Sequence, residues 1–323
     1  MHVLFWGTPE FAVPTLRALT EEGHDVVGVV TQPDRPAGRG RTLQPSPVKQ
    51  LAEEEGIPVL TPERPVGEAF LAQLRELKPE ISVVVAYGHI LKPEVLEFPP
   101  RGSWNVHASL LPELRGAAPI HWAIAQGHDA TGISIMRMTE GMDAGPVLHQ
   151  VVEPIGPHET SSELAERLAE IGAQALIESL ALLEFGDAEP LEQDHDRATF
   201  APKVSREVAR VDWSRPAVEV ANHIRAMDSV PGAWTEWEGE PLKLFSPGLD
   251  APEGWVRSAA PEAEDGGPGT VVVADPSVPG TFAVATGQGI VWIGEVQPPG
   301  KKRMPAEAWL RGRGAQAGQR LGS

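Results

Sequence analysis

The sequence predicts an α/β protein, with a Rossmann-like parallel sheet first and a smaller β-barrel module after it. Three observations lead there. The first half alternates short apolar runs with apolar-periodic segments, which is how repeated strand–helix units build a parallel sheet with crossover helices. Residues 81–86 are almost wholly apolar, as a central parallel strand buried on both faces requires. After Pro231 the chain becomes a series of short strands divided by Gly and Pro turns. With 323 residues there is room for two domains at about 150 residues each. We place them at 1–185 and 204–323, with 186–203 as a linker.

Taken in order, residues 3–6 form a buried strand. Gly7-Thr8-Pro9-Glu10 turns the chain into a helix marked by Phe11, Val13, Leu16 and Leu19. Residues 26–30 are the next strand. Only Gly7 follows the first strand, so the G-x-G-x-x-G dinucleotide fingerprint is missing and a nicotinamide cofactor is not expected. Residues 31–41 are rich in Gly and Pro, which predicts an irregular loop, and Arg35, Arg39 and Arg41 project from it. A helix at 47–55, a strand at 57–60 and a helix at 68–77 follow. The apolar strand 81–86 ends at Tyr87-Gly88-His89. Ligand crevices of open α/β sheets lie outside the carboxyl ends of strands, so Tyr87 and Gly88 are candidate pocket walls.

Residues 104–107 form the next strand, with further strands at 133–137 and 147–152. Thr160-Ser161-Ser162-Glu163 has the chemistry of a helix start. Leu164, Leu168, Ile171, Ala175, Ile177, Leu180 and Leu183 give that helix a long apolar stripe. Residues 185–199 are polar and irregular. Asp212-Trp213-Ser214 caps a helix through Val218, Val220, Ile224 and Met227. Strands at 233–237, 242–245, 270–273, 281–284 and 289–296 make up the barrel, and the acidic stretch 250–269 reads as a loop.

Composition narrows the function. Hydrophobic residues are 41% and charged residues 22%, typical of a soluble protein with a sizeable core. No run approaches the ~18 apolar residues of a membrane helix, and the N-terminal apolar run lacks the basic start of a signal peptide. There is no cysteine, which excludes disulfides and thiolate metal sites and suits a reducing cytoplasm. The histidines show no H-E-x-x-H or comparable spacing, so no metal is expected. The net charge of −18 argues against broad nucleic-acid binding. The cations are clustered, however, at Arg35, Arg39 and Arg41 and again at Lys301, Lys302, Arg303, Arg311, Arg313 and Arg320. An acidic body with two basic patches can bind RNA locally. With RNA in view, an OB-like barrel is the expected form of the second domain.

The stretch 103–146 concentrates the chemistry. Asn105 and His107 lie two apart on a strand, and so on the same face. Leu110-Leu111-Pro112 stops that strand, Arg115-Gly116-Ala117-Ala118-Pro119 opens a helix, and Asp143 follows in a Gly- and Pro-rich loop. An amide, an imidazole and a carboxylate are sufficient parts for acyl transfer. The amide donates to a developing oxyanion, the imidazole moves protons near neutral pH, and the carboxylate orients the imidazole or takes a proton itself. A lone histidine in a sheet is more often structural. Here its shared face with Asn105 and the loop that follows favour catalysis.

These residues resemble a known family. Asn105-Val106-His107, Ser109-Leu110-Leu111-Pro112, Arg115-Gly116-Ala117-Ala118-Pro119-Ile120 and Gly141-Met142-Asp143-Ala144-Gly145 resemble the folate-dependent formyltransferases, and within them the methionyl-tRNA formyltransferase family. The likeness runs over nearly the whole chain. It implies a formyltransferase catalytic domain and a tRNA-binding OB-like domain. It also implies that 10-formyltetrahydrofolate is the co-substrate and that the α-amine of methionine on initiator methionyl-tRNA is the acceptor. Asn105, His107 and Asp143 would then be catalytic, with the direction of proton flow open. Folate would lie along Ser109, Leu110, Leu111 and Pro112, near Tyr87 and Gly88. Arg35, Arg39, Arg41, Lys203, Lys301, Lys302 and Arg303 would meet tRNA. The resemblance implies a cytoplasmic enzyme, and no long exposed apolar helix face suggests a partner, so a monomer is expected. Ala108 stands where the family pattern has glycine. The rival readings are a formyltransferase acting on an amino-sugar nucleotide, a folate hydrolase with the same three residues, and a non-catalytic folate- or RNA-binding module.

Overall fold

The apolar N-terminal run forms β1 (His2–Gly7), buried from its second residue onward. The computed structural model describes residues 1–37, 42–186, 189–252, 267–280 and 282–322. After α1 (Val13–Glu21) the chain returns as β2 (Asp25–Val30), parallel to β1. The Arg-rich stretch was expected to lack regular structure. Instead it contains an antiparallel ribbon of β3 (Arg35–Ala37) and β4 (Thr42–Gln44), with Arg35 opposite Gln44. Pro36 is compatible with this because a two-stranded ribbon has only edges, where a missing N–H is tolerated.

The helix α2 (Pro47–Glu54) is capped by the Ser46 hydroxyl, which accepts from the Lys49 N–H at 3.1 Å. Next come β5 (Val59–Leu60), α3 (Glu68–Leu77), the fully buried β6 (Ile81–Val85), and a single helical turn, α4 (Pro93–Leu96). They are followed by β7 (Ser103–His107), α5 (Pro119–Ala125), β8 (Ala130–Arg137) and β9 (Val147–Pro154). The sheet order is β5-β2-β1-β6-β7-β8-β9. Pairing is parallel as far as β7, and β8 and β9 then run antiparallel, so the sheet is mixed at this end. The long helix α6 (Ser161–Phe185) lies against β7 and β8. Gly172 allows the approach, because a Cβ there would stand 2.9 Å from Val106 Cγ1. Leu168, Leu176 and Leu180 of the same helix are fully buried.

In the second half, α7 (Ala217–Ala226) packs on an antiparallel sheet. Its strands are β10 (Trp234–Trp237), β11 (Glu240–Gly248), β12 (Val271–Ala274), β13 (Phe282–Ala285) and β14 (Ile290–Gln297), in the order β10-β11-β14-β13-β12. This is the expected antiparallel module. Two elements in the basic tail were not anticipated: β15 (Met304–Pro305), which pairs with β14, and α8 (Ala306–Arg313).

The chain divides into two units. The first is Met1–Pro119 with Ala130–Pro154 and Ala165–Pro202, and the second is Ile120–Asp129 with Ile155–Leu164 and Lys203–Ser323. Residues 189–202, read from sequence as part of a linker, run along the first unit as irregular chain broken by one 3-10 turn at His195–Arg197. Leu191 bridges to Val147 there, and Phe200 bridges to Arg115.

The packing of α6 is testable. Leu168 is fully buried, so Leu168→Ala should destabilise the protein by about 2–5 kcal/mol. Chemical denaturation would measure this, and an unchanged midpoint would show that the helix does not depend on that contact.

Candidate active site

β7 sets the geometry. It lies between β6 and β8, with Asn105 opposite Val84 and Met136, and His107 opposite Ser134. Period-two alternation puts Asn105 and His107 on one face, as expected. Asn105 is half-buried, and no described residue hydrogen-bonds its amide. His107 is 5% exposed.

The imidazole stands between two oxygens. Nε2 lies 3.1 Å from the Leu114 carbonyl, which can only accept, so Nε2 carries a proton. Nδ1 faces Asp143 Oδ2 at 3.9 Å. That is an ion-pair separation, too long for a direct hydrogen bond. The same Oδ2 accepts from the Gly116 N–H at 2.8 Å. Leu114 and Asp143 both have positive φ, 57° and 46°, and such backbone clusters at working sites.

Gly116 has φ of 120°, and a Cβ there would meet the Ala201 carbonyl oxygen at 2.7 Å. Only glycine brings this N–H to the carboxylate. The segment 114–118 is held in turn by 199–201. Leu114 N donates to Thr199 Oγ1 at 2.8 Å, Arg115 N to the Thr199 carbonyl at 2.9 Å, and Ala201 N to the Arg115 carbonyl at 2.7 Å.

Residues 109–112 are fastened from below. Ser134 Oγ donates to the Ser109 carbonyl at 2.6 Å and accepts from Leu111 N at 3.0 Å, and Gln150 Nε2 donates to the Leu111 carbonyl at 3.0 Å. The Ser109 hydroxyl donates to the Glu113 carbonyl at 2.6 Å. Ser109 and Leu111 are therefore buried supports, while Leu110 and Pro112 are half-buried. A cavity of about 820 Å3 opens elsewhere in this unit, along the loop that leads to Asp143. Leu96, Ser103, Arg137, Met138, Glu140 and Gly141 are among its walls. Its size is that of a small-molecule site. Neither 109–112 nor Tyr87 and Gly88 line it.

Tyr87 is corrected from pocket wall to core. It is 2% exposed and meets Trp6 edge-on at 5.2 Å between ring centroids. Ala86, with φ of 46°, ends the strand there. It is the Tyr87 carbonyl that serves the loops, accepting from Thr8 Oγ1 at 3.1 Å and Gln32 Nε2 at 2.9 Å. Gly88 is exposed.

The cations expected to meet tRNA separate into three groups. Arg39 and Arg41 lie outside the described residues. Arg35, Lys203, Lys301 and Lys302 are exposed, and Arg35 donates to Gln32 Oε1. Arg303 is engaged within its own unit. Its Nη1 reaches both Asp228 oxygens at 3.0 and 3.1 Å, its Nε reaches Glu295 at 2.8 Å, and its Cζ lies 4.2 Å from the Phe245 ring centroid. Burial pushes the Asp228 carboxyl above the usual range, and Arg303 offsets only part of that.

Comparison with known proteins agrees with this architecture. A formyl transferase family model matches residues 1–180, and a formyl transferase C-terminal domain model matches 203–314. The chain belongs to the formyl transferase family. It is 47% identical to the methionyl-tRNA formyltransferase of Symbiobacterium thermophilum over 322 residues, 99% of this chain and 95% of that one. It is 44% identical to the methionyl-tRNA formyltransferase of Bacillus cytotoxicus over 323 residues, 100% of this chain and 99% of that one. Among solved structures, an N-formyltransferase from Helicobacter canadensis superposes with a TM-score of 0.66 at 17% identity, covering 92% of this chain and 99% of that one. At that identity the likeness is one of fold. Among the described residues no three His, Cys, Asp or Glu side chains cluster as a metal site, and no helix is long and apolar enough to cross a membrane.

Sequence reasoning missed Gln193, Thr199, Ser134 and Gln150. All four act through hydrogen bonds to irregular backbone, which leave no periodic signal.

Tyr87 is the only tyrosine in the chain, so ultraviolet titration of phenolate reads it alone. Burial raises its hydroxyl to about 12, against about 10 for a free phenol. A group whose folded value is raised contributes stability that is present below the unfolded value and lost as pH rises through the folded one. We expect a native midpoint near 12, a denatured one near 10, and falling stability between them. A native midpoint equal to the denatured one would put the ring in water.

Proposed function

We propose that this protein transfers the formyl group of 10-formyltetrahydrofolate to the α-amine of methionine on initiator methionyl-tRNA. The carrying observation is the convergence of Asn105, His107 and Asp143 in one site, with the His107–Asp143 pair at 3.9 Å. That site lies in a chain 44–47% identical, end to end, to proteins named for this reaction. An amino-sugar acceptor has weaker support, because the sugar enzymes share the fold at 17% identity or so.

The neutral amine attacks the formyl carbon and gives a tetrahedral intermediate. A new C–N bond forms and the bond to N10 breaks. Asn105 donates an N–H to the oxyanion. His107, as an imidazolium with Nε2–H held by Leu114, supplies positive charge beside it and returns a proton to N10 through Nδ1. Asp143 balances that charge and accepts the proton released by the amine. The cavity beside the Asp143 loop takes the pterin, against Leu96 and Met138 and the backbone of 139–141. Leu110 and Pro112 shape the neighbouring surface. Gly88 borders the folate tail, while Tyr87 supports it from the core.

Lys203, Lys301 and Lys302, with Arg35, Arg39 and Arg41, bind tRNA phosphates. Arg303 orders the segment that bears the two lysines. Such a substrate places the enzyme in the cytoplasm. We read it as a monomer, a state that sedimentation would check.

Two experiments test the reading. With 10-formyltetrahydrofolate as donor, initiator methionyl-tRNA should be formylated and elongator methionyl-tRNA should not. Asn105→Ala should lower turnover by a factor of about 100–1,000 with folate binding kept. Release of formate without transfer would mean a hydrolase, and near-normal turnover in the variant would remove Asn105 from the mechanism. Separately, tRNA affinity should fall steeply with salt, and replacing Lys301 or Lys302 by Ala should reduce the logarithmic slope by about 1 for each lysine. An affinity indifferent to salt would count against phosphate contacts.

A further inference from the structure

Asp143 is held by its backbone as well as by its carboxylate. Gln193 Nε2 donates to the Asp143 carbonyl at 2.9 Å and to the Gly145 carbonyl at 2.6 Å, on either side of Ala144. Gln193 Oε1 accepts from Arg115 Nε at 3.1 Å and Nη2 at 2.6 Å. Arg115 is followed by Gly116, whose N–H holds Asp143 Oδ2 at 2.8 Å. The hydrogen bonds therefore close a ring, from the Asp143 carboxylate to Gly116, through the Arg115 side chain to Gln193, and back to the Asp143 carbonyl.

Both side chains are buried, Arg115 at 5% and Gln193 at 8% exposure. The other described partner of the guanidinium is His195 Nδ1, at 3.0 Å. A buried guanidinium whose described side-chain partners are an amide oxygen and an imidazole nitrogen is an expensive way to fill space, and apolar side chains of similar volume usually stabilise as well or better. What such a network provides is a fixed geometry. Here the fixed part is the loop bearing Asp143, at a residue with φ of 46° that has few alternatives of its own to hold it there.

We propose that Gln193, itself fixed by Arg115, is the residue that positions Asp143 for proton transfer. This rests on the catalytic reading of Asp143 given above. Gln193 is a positioning residue and touches no reacting atom. Its two halves have separate tasks: the carbonyl oxygen anchors to Arg115, and the amino group grips the loop.

Gln193→Glu separates those tasks. It keeps an oxygen for Arg115, now as an ion pair, and replaces the amino donor with an oxygen facing two carbonyl oxygens. The loop is released while the anchor stays. A small misplacement of a catalytic group can cost about 100-fold, so turnover should fall roughly 10- to 100-fold. KM for tRNA and the thermal midpoint should stay near wild type. Gln193→Met, which fills a similar volume with neither hydrogen-bonding half, should show the same loss of turnover if the glutamate variant does not fold.

The deciding measurement is a double-mutant cycle with Asp143→Asn. Asp143→Asn alone should be severely impaired, and adding Gln193→Glu should cost little more, because the positioned carboxylate is already gone. Unchanged turnover in Gln193→Glu overturns the proposal, and so do losses that multiply in the double variant, which would mark Gln193 as merely structural. Full activity of Asp143→Asn would instead overturn the reading of Asp143 itself, and that outcome is visible before Gln193 is touched.

Discussion

A single main-chain N–H, that of Gly116, holds the carboxylate of Asp143 at 2.8 Å, and much of the first unit is arranged so that this bond can form. The carboxylate must stand near an imidazole that is 5% exposed, at the carboxyl end of a central strand. Neither loop could keep such a position alone. The 114–118 segment is shaped by the chain at 199–201, which crosses so close to Gly116 that a side chain there is excluded. The loop at 143–145 is shaped by Gln193. Both supports come from one stretch of irregular chain. A stretch that reads as a connection between domains thus forms one wall of the site.

That explains which parts of the site were legible in the sequence. Asn105 and His107 could be found because a strand alternates its faces, and two polar residues two apart within an apolar strand stand out. Asp143 was singled out because it lies in a Gly- and Pro-rich loop that carries part of the family resemblance. Gln193 gave no such signal. A glutamine between Glu192 and Asp194 looks solvated, and its burial follows only from where 189–202 is laid down. The same limit applies to Ser134 and Gln150, whose hydroxyl and amide take up carbonyls and an N–H that no sheet or helix satisfies. Tyr87 was misplaced for a related reason. Its position at a strand end points to a crevice, but the backbone turns at Ala86 and the ring goes into the core beside Trp6.

In the second unit, the run Lys301-Lys302-Arg303 reads as three equivalent charges. The structure leaves all three exposed but engages the third, Arg303, with Asp228 and Glu295. Arg303 has the planar fork that suits two carboxylates and a ring face at once, whereas a lysine presents one point charge on a flexible stem. The sorting therefore follows the chemistry of the side chains. The guanidinium ties β14 and β15 to Asp228, and the ammonium groups remain outside. In a chain of net charge −18, the two lysines form no ion pair among the described residues, which preserves a local positive field.

The hydrogen-bonding demands on His107 come from its two neighbours. A neutral imidazole with its proton on Nε2, as the Leu114 carbonyl requires, would turn the lone pair of Nδ1 toward a carboxylate oxygen. Two electron-rich atoms would then face each other in a nearly dry site. A proton held between Nδ1 and Asp143 would relieve that contact while Nε2–H stays on the carbonyl. The pair stands at 3.9 Å, a gap rather than a closed hydrogen bond. A closed bond would tie up the Nδ1 proton and the carboxylate oxygen. The open one leaves both free to meet a third group, which is what the proposed proton transfer requires of them. That gap is fixed on both sides of the carboxylate, by the Gly116 N–H on Oδ2 and by Gln193 on the loop carbonyls.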